Sequence, residues 1–284
     1  MSIQHLRSLC EKLYSSPIEN KVSPISHPRR AGVAAILRWN IDGEQSDELL
    51  STLPTPLTST LSQDSTLTSF INQMDSVPGE LELLFIQRAK RPGDLWSGQV
   101  AFPGGKNEEN ETDMETAMRE VEEEIGLDLG GQDFLHLGKL NDKEITSLEN
   151  KFMMILVPFV FLQISVKTPP LTIQPAEVAA VHWVSLHYLV STPTTLFDPF
   201  GTHIPDTQRI LKNPRPGIVK VPSLTLPTAS MSEPDDSVEE PVILWGLTLH
   251  VTQQLIGFAS NQLQEDSLLI AYSNPNKSII KSRL

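Results

Sequence analysis

Residues 105–127 restrict the local structure of this chain more than any other stretch. The stretch begins at Gly105, in a glycine pair that stops a short strand. A polar segment follows and ends at Thr112-Asp113, where either side chain can cap a helix. Helical periodicity then runs over residues 114–125, and Gly126 can supply a left-handed C-cap. The sequence therefore predicts a strand, a loop and a well-delimited helix in succession.

The predicted helix has an apolar stripe and an acidic flank. At ~100° per residue, the stripe consists of Met114, Met118, Val121 and Ile125. We expect this stripe to pack on a sheet. Glu120 and Glu124 lie one turn apart beside the stripe, and Glu123 lies on the same flank but farther round. Like charges at this spacing repel, so a hard divalent cation is the natural compensating group. The alternative is a solvated acidic face, which we prefer for the other glutamates nearby.

The spacing of these residues resembles the complete signature of the Nudix hydrolases. The matching positions are Gly105, Glu111, Arg119, Glu120, Val121, Glu123, Glu124, Gly126 and Leu127. The resemblance implies a Nudix fold of the α/β (α+β) class, with a mixed β-sheet sandwiched between helices. It also implies a metal-dependent enzyme that cleaves a diphosphate bond.

The resemblance assigns roles to individual residues. Mg²⁺ or Mn²⁺ is expected to bind the catalytic glutamates, which are Glu120, Glu123 and Glu124. The backbone carbonyl of Gly105 is expected to be a further ligand. We interpret Glu111, Arg119 and Gly126 as structural, with Arg119 pairing with Glu115, Glu123 or Glu111. The general base is left open between Glu123 and a residue from another loop.

The segment before the helix resembles the coenzyme A diphosphatase branch of the family. The matching residues are Gly98, Val100, Phe102, Pro103, Gly104 and Gly105. Arg88 lies one residue farther from Gly98 than in that branch, and Arg91 is out of register. The predicted substrate-binding residues are Arg88, Arg91, Lys106 and Trp96. The expected reaction splits CoA or acyl-CoA into 3′,5′-ADP and (acyl-)4′-phosphopantetheine.

Two other functional readings remain open. One is a broader nucleotide diphosphatase that acts on NADH, ADP-ribose or an oxidised nucleoside triphosphate. The other is a Nudix fold retained as a non-catalytic binding module, which the complete set of carboxylates disfavours. The net charge of −13 argues against a nucleic-acid polymer as partner. No apolar stretch has the length of a membrane span. The resemblance to the Nudix hydrolases implies a small-molecule nucleotide diphosphate as substrate.

The sequence predicts one domain with two insertions. Residues 1–27 form an N-terminal helix and linker, with Ile3, Leu6, Leu9 and Leu13 on one helix face. Residues 28–265 form the hydrolase domain, with insertions at about 46–78 and 193–241. The first of these stretches lacks a clear period and is expected to be an insertion or a mobile loop. Within the domain, strands are predicted at residues 32–39, 81–88, 98–102, 134–140, 152–164 and 177–186. The last of these strands leads into a short helix, and a final helix is predicted at residues 244–263.

Residues 266–284 form a predicted C-terminal tail. The tail ends in Ser282, Arg283 and Leu284, which resemble a peroxisomal import signal read by a receptor groove. We therefore expect a peroxisomal matrix location, with the cytoplasm as the alternative.

Overall fold

The structure is a computed structural model that describes residues 2–41, 63–94, 96–146, 151–198, 218–227, 241–260, 269–274 and 277–283. Its helices are α1 (Ile3–Ser15), α2 (Gln63–Met74), α3 (Asp113–Ile125), α4 (Leu186–Ser191) and α5 (Gly246–Ser260). The first eight strands are β1 (Arg30–Ile41), β2 (Gly79–Arg88), β3 (Val100–Ala101), β4 (Gly104–Lys106), β5 (Phe134–Lys139), β6 (Lys143–Thr146), β7 (Phe152–Gln163) and β8 (Val178–Ser185). The remaining strands are β9 (Thr195–Phe197), β10 (Ile218–Thr225), β11 (Ile243–Trp245), β12 (Leu269–Asn274) and β13 (Lys277–Arg283).

The first eight strands form one mixed sheet. Its main path is β3-β2-β1-β7-β5, with β4 paired to β1, β6 to β7 and β8 to β2. Strands β1 and β7 are parallel, with Ala35 opposite Val160, and the other strand pairs of this sheet are antiparallel. Apolar residues on both faces of β1 explain this central place, because a strand covered on both sides is a continuous apolar run.

Helices cover both faces of the mixed sheet. On one face, Ala35 and Leu37 of β1 share a core with residues of α1, α2, α4 and α5. On the other face, Ala34 and Ile36 share a core with residues of α3. The predicted fold class, a mixed sheet sandwiched between helices, is confirmed.

The N-terminal helix follows its predicted pattern. The side chains of Ile3, Leu6, Leu9 and Leu13 are all buried. Lys12 Nζ donates to the carbonyl of Gly257 at 3.1 Å, which ties α1 to α5. No helix in the described ranges is both long enough and apolar enough to cross a bilayer.

A second sheet is built from the C-terminal part of the chain. Its order is β11-β10-β12-β13, with β9 also paired to β10. The predicted import tripeptide falls partly here, since the backbones of Ser282 and Arg283 belong to β13, whereas Leu284 lies outside the described residues.

One secondary-structure expectation is wrong and one element was not predicted. Residues 46–78 were expected to be an insertion or a mobile loop, and the loop alternative is wrong because they contain α2, which forms because Phe70, Ile71 and Met74 are buried against the core. The short strand before Gly104-Gly105 ends as predicted, at Ala101, but a second strand, β4, then begins at Gly104, because β4 pairs with β1 at Gly32. Most of the two predicted insertions, residues 46–62 and 199–217 among them, lies outside the described residues.

Candidate active site around helix α3

Helix α3 is fixed at both ends by local sequence. At the N-terminus, Oγ1 of Thr112 accepts from the N–H of Glu115 at 3.2 Å, and the Glu115 carboxylate accepts from the N–H of Thr112 at 2.8 Å. This capping box satisfies two amide groups that have no partner inside the helix. At the C-terminus, Gly126 has φ +76°, the left-handed conformation that was predicted. Of the two possible caps, Thr112 is the one used.

The first turn of α3 lies against the backbone of β1. A Cβ placed on Gly32 would lie 2.0 Å from the carbonyl oxygen of Asp113, so only glycine allows this approach. The close contact places Ala117 in the buried face, against β1. The predicted stripe is therefore wrong at Met114, which is 37% exposed, whereas Val121 is buried as expected.

The backbone of strand β4 lies between β1 and the acidic flank of α3. Gly104 has φ +145°, and a Cβ there would lie 2.3 Å from the carbonyl oxygen of Gly32. A Cβ on Gly105 would lie 2.3 Å from the Glu120 carboxylate. The two glycines therefore let the β4 backbone lie directly beside the predicted metal ligands.

Glu124 is a buried carboxylate with little compensation. Its exposed fraction is 3%, and Oε2 accepts from the N–H of Gly104 at 3.0 Å. Burial raises the pKa of Glu124 from 4.5 to about 8, and repulsion from Glu120 and Glu177 adds to the rise. The group is therefore largely protonated at neutral pH unless a cation joins it.

Glu120 is the second carboxylate of this pair. Burial raises its pKa, and repulsion from Glu123 and Glu177 acts in the same direction against the attraction of Arg119. The two carboxylates lie on adjacent turns, and burial and repulsion disfavour the ionised form of both. A divalent cation would stabilise the ionised forms.

Arg119 holds the loop and the acidic flank together. Its Nε and Nη2 donate to the two oxygens of Glu111 at 2.8 and 3.1 Å, a bidentate pair. Its Nη1 donates to Glu120 at 3.0 Å and to Glu123 at 2.9 Å. The hydrogen bonds from Arg119 lower the pKa of Glu111 to about 2. Of the predicted partners, Arg119 contacts Glu111 and Glu123, whereas Glu115 serves the helix cap.

Glu177 is a site residue that the sequence did not reveal. The segment before β8 lies along the end of α3, since Gln174 N–H donates to the carbonyl of Glu124 at 2.9 Å. The charge of Glu177 raises the pKa of both Glu120 and Glu124. No spacing rule links Glu177 to the helix, because only the fold brings the two segments together.

Arg88 and Arg91 have different surroundings. Arg88 lies near enough to Glu124 for its charge to lower the pKa of that carboxyl, and its Nη2 is 3.5 Å from Asp94. Its Nε is buried without a hydrogen-bond partner among the described residues. Arg91 instead donates to the carbonyl of Ala176 at 2.6 and 2.9 Å and to Glu177 at 3.1 Å. Arg91 therefore joins two loops, and its predicted substrate contact stays a prediction.

The other two predicted substrate residues are exposed. Lys106 ends β4, and its carbonyl accepts from Nη2 of Arg119 at 3.3 Å, while its side chain faces solvent. Trp96 is 52% exposed, and its ring stacks on that of Trp245. For both residues, the predicted contact with substrate stays a prediction.

The donor set fits Mg²⁺ or Mn²⁺. In the described ranges, no group of three or more His, Cys, Asp or Glu side chains is arranged to hold a metal ion. Two carboxylates and one backbone carbonyl are nevertheless enough for Mg²⁺, which takes its remaining ligands from water and substrate phosphates. Glu120, Glu124 and the backbone at Gly105 offer this set. Glu123, whose side chain is 58% exposed, is paired with Arg119.

Comparison with known proteins agrees with this geometry. The NUDIX domain profile matches residues 73–200, which include β4, the capped helix and the two buried carboxylates. The chain contains a Nudix domain. An uncharacterized protein of Schizosaccharomyces pombe is 33% identical over 203 residues, which cover 70% of this chain and 53% of that protein. The chain thus spans about half the length of this curated relative.

Solved Nudix structures are more distant. The NUDIX domain of Shewanella oneidensis NrtR, complexed with ADP ribose, is 16% identical with a TM-score of 0.34, covering 64% of this chain and 86% of that chain. A MutT/nudix family protein from Enterococcus faecalis is 15% identical with a TM-score of 0.33, covering 63% of this chain and 51% of that chain.

Proposed function

We propose that this Nudix chain is a hydrolase that uses Mg²⁺ or Mn²⁺ to split the diphosphate bond of a nucleotide-derived substrate. The observation that carries the proposal is the pair Glu120 and Glu124 beside the Gly104-Gly105 backbone. These carboxylates are buried or half-buried, their pKa values are raised, and the Nudix domain match includes them. Buried carboxylates with raised pKa values are expected in a catalytic metal site, where a cation stabilises the ionised groups, whereas a binding module has no need of them.

The residues around Glu120 and Glu124 have different roles in the proposed reaction. A bound divalent cation supplies Lewis-acid polarisation of the diphosphate and a water of lowered pKa. Glu120 and Glu124 provide anionic oxygens, and the Arg119 bonds orient the first of them. Arg88 places a guanidinium beside Glu124, where it can bind a phosphate oxygen and stabilise charge that develops during cleavage.

Two residues can accept the proton of the attacking water. Glu123 has a largely exposed side chain that is held by Arg119 alone among its described contacts. Glu177 lies on the loop along the end of α3, and Arg91 anchors it at 3.1 Å. Replacing each with Gln and recording the pH profile of turnover separates the two. The base is the residue whose loss removes the acidic limb of the profile.

CoA or acyl-CoA is the substrate that we propose. Support comes from the stretch that ends in Pro103-Gly104-Gly105, which resembles the coenzyme A diphosphatase branch. Broader nucleotide diphosphatase activity on NADH, ADP-ribose or an oxidised nucleoside triphosphate is the competing possibility.

The test is a substrate panel with matched variants. Purified protein and Mg²⁺ are incubated with CoA, acetyl-CoA, a longer acyl-CoA, NADH, ADP-ribose and 8-oxo-dGTP, and products are identified by mass spectrometry. Glu124→Gln should abolish turnover. Glu122→Gln, an exposed residue on the same helix, should not change it. Release of 3′,5′-ADP from CoA well above turnover of the others supports the substrate. A Glu124→Gln protein with most of its activity left contradicts the site.

A further inference from the structure

Three aromatic side chains from distant parts of the chain form a row. The ring centroids of Trp96 and Trp245 are 6.2 Å apart with 25° between the ring planes. The centroids of Trp245 and Phe197 are 6.1 Å apart at 58°. Trp245 therefore lies between the other two rings, and we refer to the three as the aromatic row. Ring pairs in these geometries are mutually stabilising, so each ring helps to fix its neighbour.

Trp96 presents an aromatic surface to solvent. Its exposed fraction is 52%, although one side of its ring packs on Trp245. The backbone N–H of Trp96 donates to Oδ1 of Asp94 at 2.9 Å, and Ser97 Oγ donates to the carbonyl of Asp94 at 2.8 Å. These bonds position the backbone at Trp96, and the stack on Trp245 positions one side of the indole. A large aromatic ring that is packed on one side and open to water on the other is a candidate contact for a ligand.

The turn that carries Trp96 also contacts the acidic site. Asp94, which binds the Trp96 N–H, has its other carboxylate oxygen 3.5 Å from Nη2 of Arg88. Arg88 in turn lowers the pKa of Glu124. One short chain of contacts thus connects the carboxylate pair to the aromatic row.

The middle of the row, at Trp245, is linked to strand β3. Thr248, in the first turn of α5 just after Trp245, donates through Oγ1 to the carbonyl of Val100 in β3 at 3.3 Å. Strand β3 leads directly into the Gly104-Gly105 backbone beside the carboxylates. Strand β3 therefore contacts the helix that follows Trp245 and also continues into the backbone beside the carboxylates.

We propose that the exposed side of Trp96 stacks on the base of the nucleotide, with Trp245 and Phe197 as the rigid backing. This inference rests on the proposed function, because it places the diphosphate at Glu124 and the base beyond Arg88. A base is flat and aromatic, which matches an open ring surface that extends an existing stack. A flexible acyl chain would bury more surface in a groove than on one open ring. Stacking requires no hydrogen-bond partner and tolerates any base, so the row accounts for affinity and not for base identity.

The experiment compares two ligands that differ in the base and contain no diphosphate bond. AMP and ribose 5-phosphate are titrated into the 284-residue chain, and isothermal titration calorimetry reports binding in the parent and in every variant. We expect AMP to give a binding isotherm and ribose 5-phosphate to give none. Trp96→Ala should weaken AMP binding by roughly tenfold, and Trp96→Phe should restore most of it because a ring remains. Tyr14→Ala, which removes another exposed aromatic ring, should leave AMP affinity unchanged.

Turnover separates this inference from the proposed function. Trp96→Ala should raise KM for CoA and for a long-chain acyl-CoA by the same factor and leave kcat nearly unchanged. A KM change confined to the long-chain substrate would overturn base stacking in favour of an acyl contact. Equal AMP affinity in the parent and Trp96→Ala proteins, with turnover intact, would overturn the stacking alone. Trp96-dependent AMP binding in a protein that cleaves no diphosphate supports the stacking and contradicts the proposed function.

Discussion

Replacing Glu124 with Gln should stabilise the metal-free protein at neutral pH while it removes activity. The Glu124 side chain is 3% exposed, and its pKa is raised from 4.5 to about 8 by burial. In the unfolded chain the carboxyl ionises freely, but in the folded chain it retains its proton until the pH is far higher. The folded state therefore binds more protons in this window, and its stability falls as the pH rises. Gln carries no titratable proton and should escape this loss.

The magnitude follows from proton linkage. Each pH unit between the unfolded and folded pKa values lowers the free energy of unfolding by about 1.4 kcal/mol through this one group. Two pH units inside the window amount to roughly 2–3 kcal/mol. In a domain of this size that corresponds to a relative shift in Tm on the order of 5–10 °C. Glu120 remains in both proteins, so the difference between them reports the loss of the Glu124 carboxylate together with its repulsion of Glu120.

The assay is thermal unfolding of both proteins in EDTA over a series of pH values. The Tm of Glu124→Gln minus the Tm of the parent should grow steadily from pH ~5 to pH ~8. Mg²⁺ should reduce this growth by binding the ionised carboxylate of the parent. Glu122→Gln, on the exposed face, should show no such trend. A difference that stays constant across the window, or shrinks, would show that Glu124 is already ionised without metal and would refute the reasoning.

Three other substitutions test the supports of the site. Gly105→Ala should raise the Mg²⁺ concentration needed for half-maximal turnover at least tenfold, because the new methyl group lies 2.3 Å from the Glu120 carboxylate; an unchanged metal dependence would contradict this packing. Arg119→Gln should lower the free energy of unfolding by about 2–3 kcal/mol in urea titrations, since it leaves Glu111 without its bidentate partner. The loss should shrink as the pH falls from 4.5 towards 2, where Glu111 becomes protonated in the folded state as well, and a loss independent of pH would contradict the pair. Gly32→Ala should cost about 3 kcal/mol or more, because its Cβ would meet the first turn of α3 at 2.0 Å, and a stable variant with full activity would show that the helix can move away from β1.

The features of the site that were predictable are local in sequence. The cap at Thr112, the left-handed Gly126 and the Arg119–Glu111 pair lie within one short stretch, and each has a spacing rule of its own. The exact buried face was not predictable from periodicity. It depends on Gly32, a distant residue whose missing side chain lets the helix approach closely.

The features that were missed depend on tertiary contacts. Helix α2 is rich in Ser, Thr and Asn, which are weak helix formers, and it is stabilised by burial of residues such as Phe70. Glu177 enters the site because its loop lies along the end of α3, and Arg91 turns towards that loop. Neither relation leaves a trace in the spacing of residues along the chain.

The pairing of β1 with β7, and of α1 with α5, governs the order in which the chain can assemble during synthesis. Ala35 needs Val160 as its parallel neighbour, and Ser8 donates to the carbonyl of Phe258, a contact that spans 250 positions. The apolar side of α1 therefore leaves the ribosome long before its partner helix exists. Contacts between residues so far apart close late and slow folding. Until then Leu6 and Leu9 lack the cover that α5 gives them in the folded protein, and the apolar side of α1 is open to chaperones that bind apolar segments.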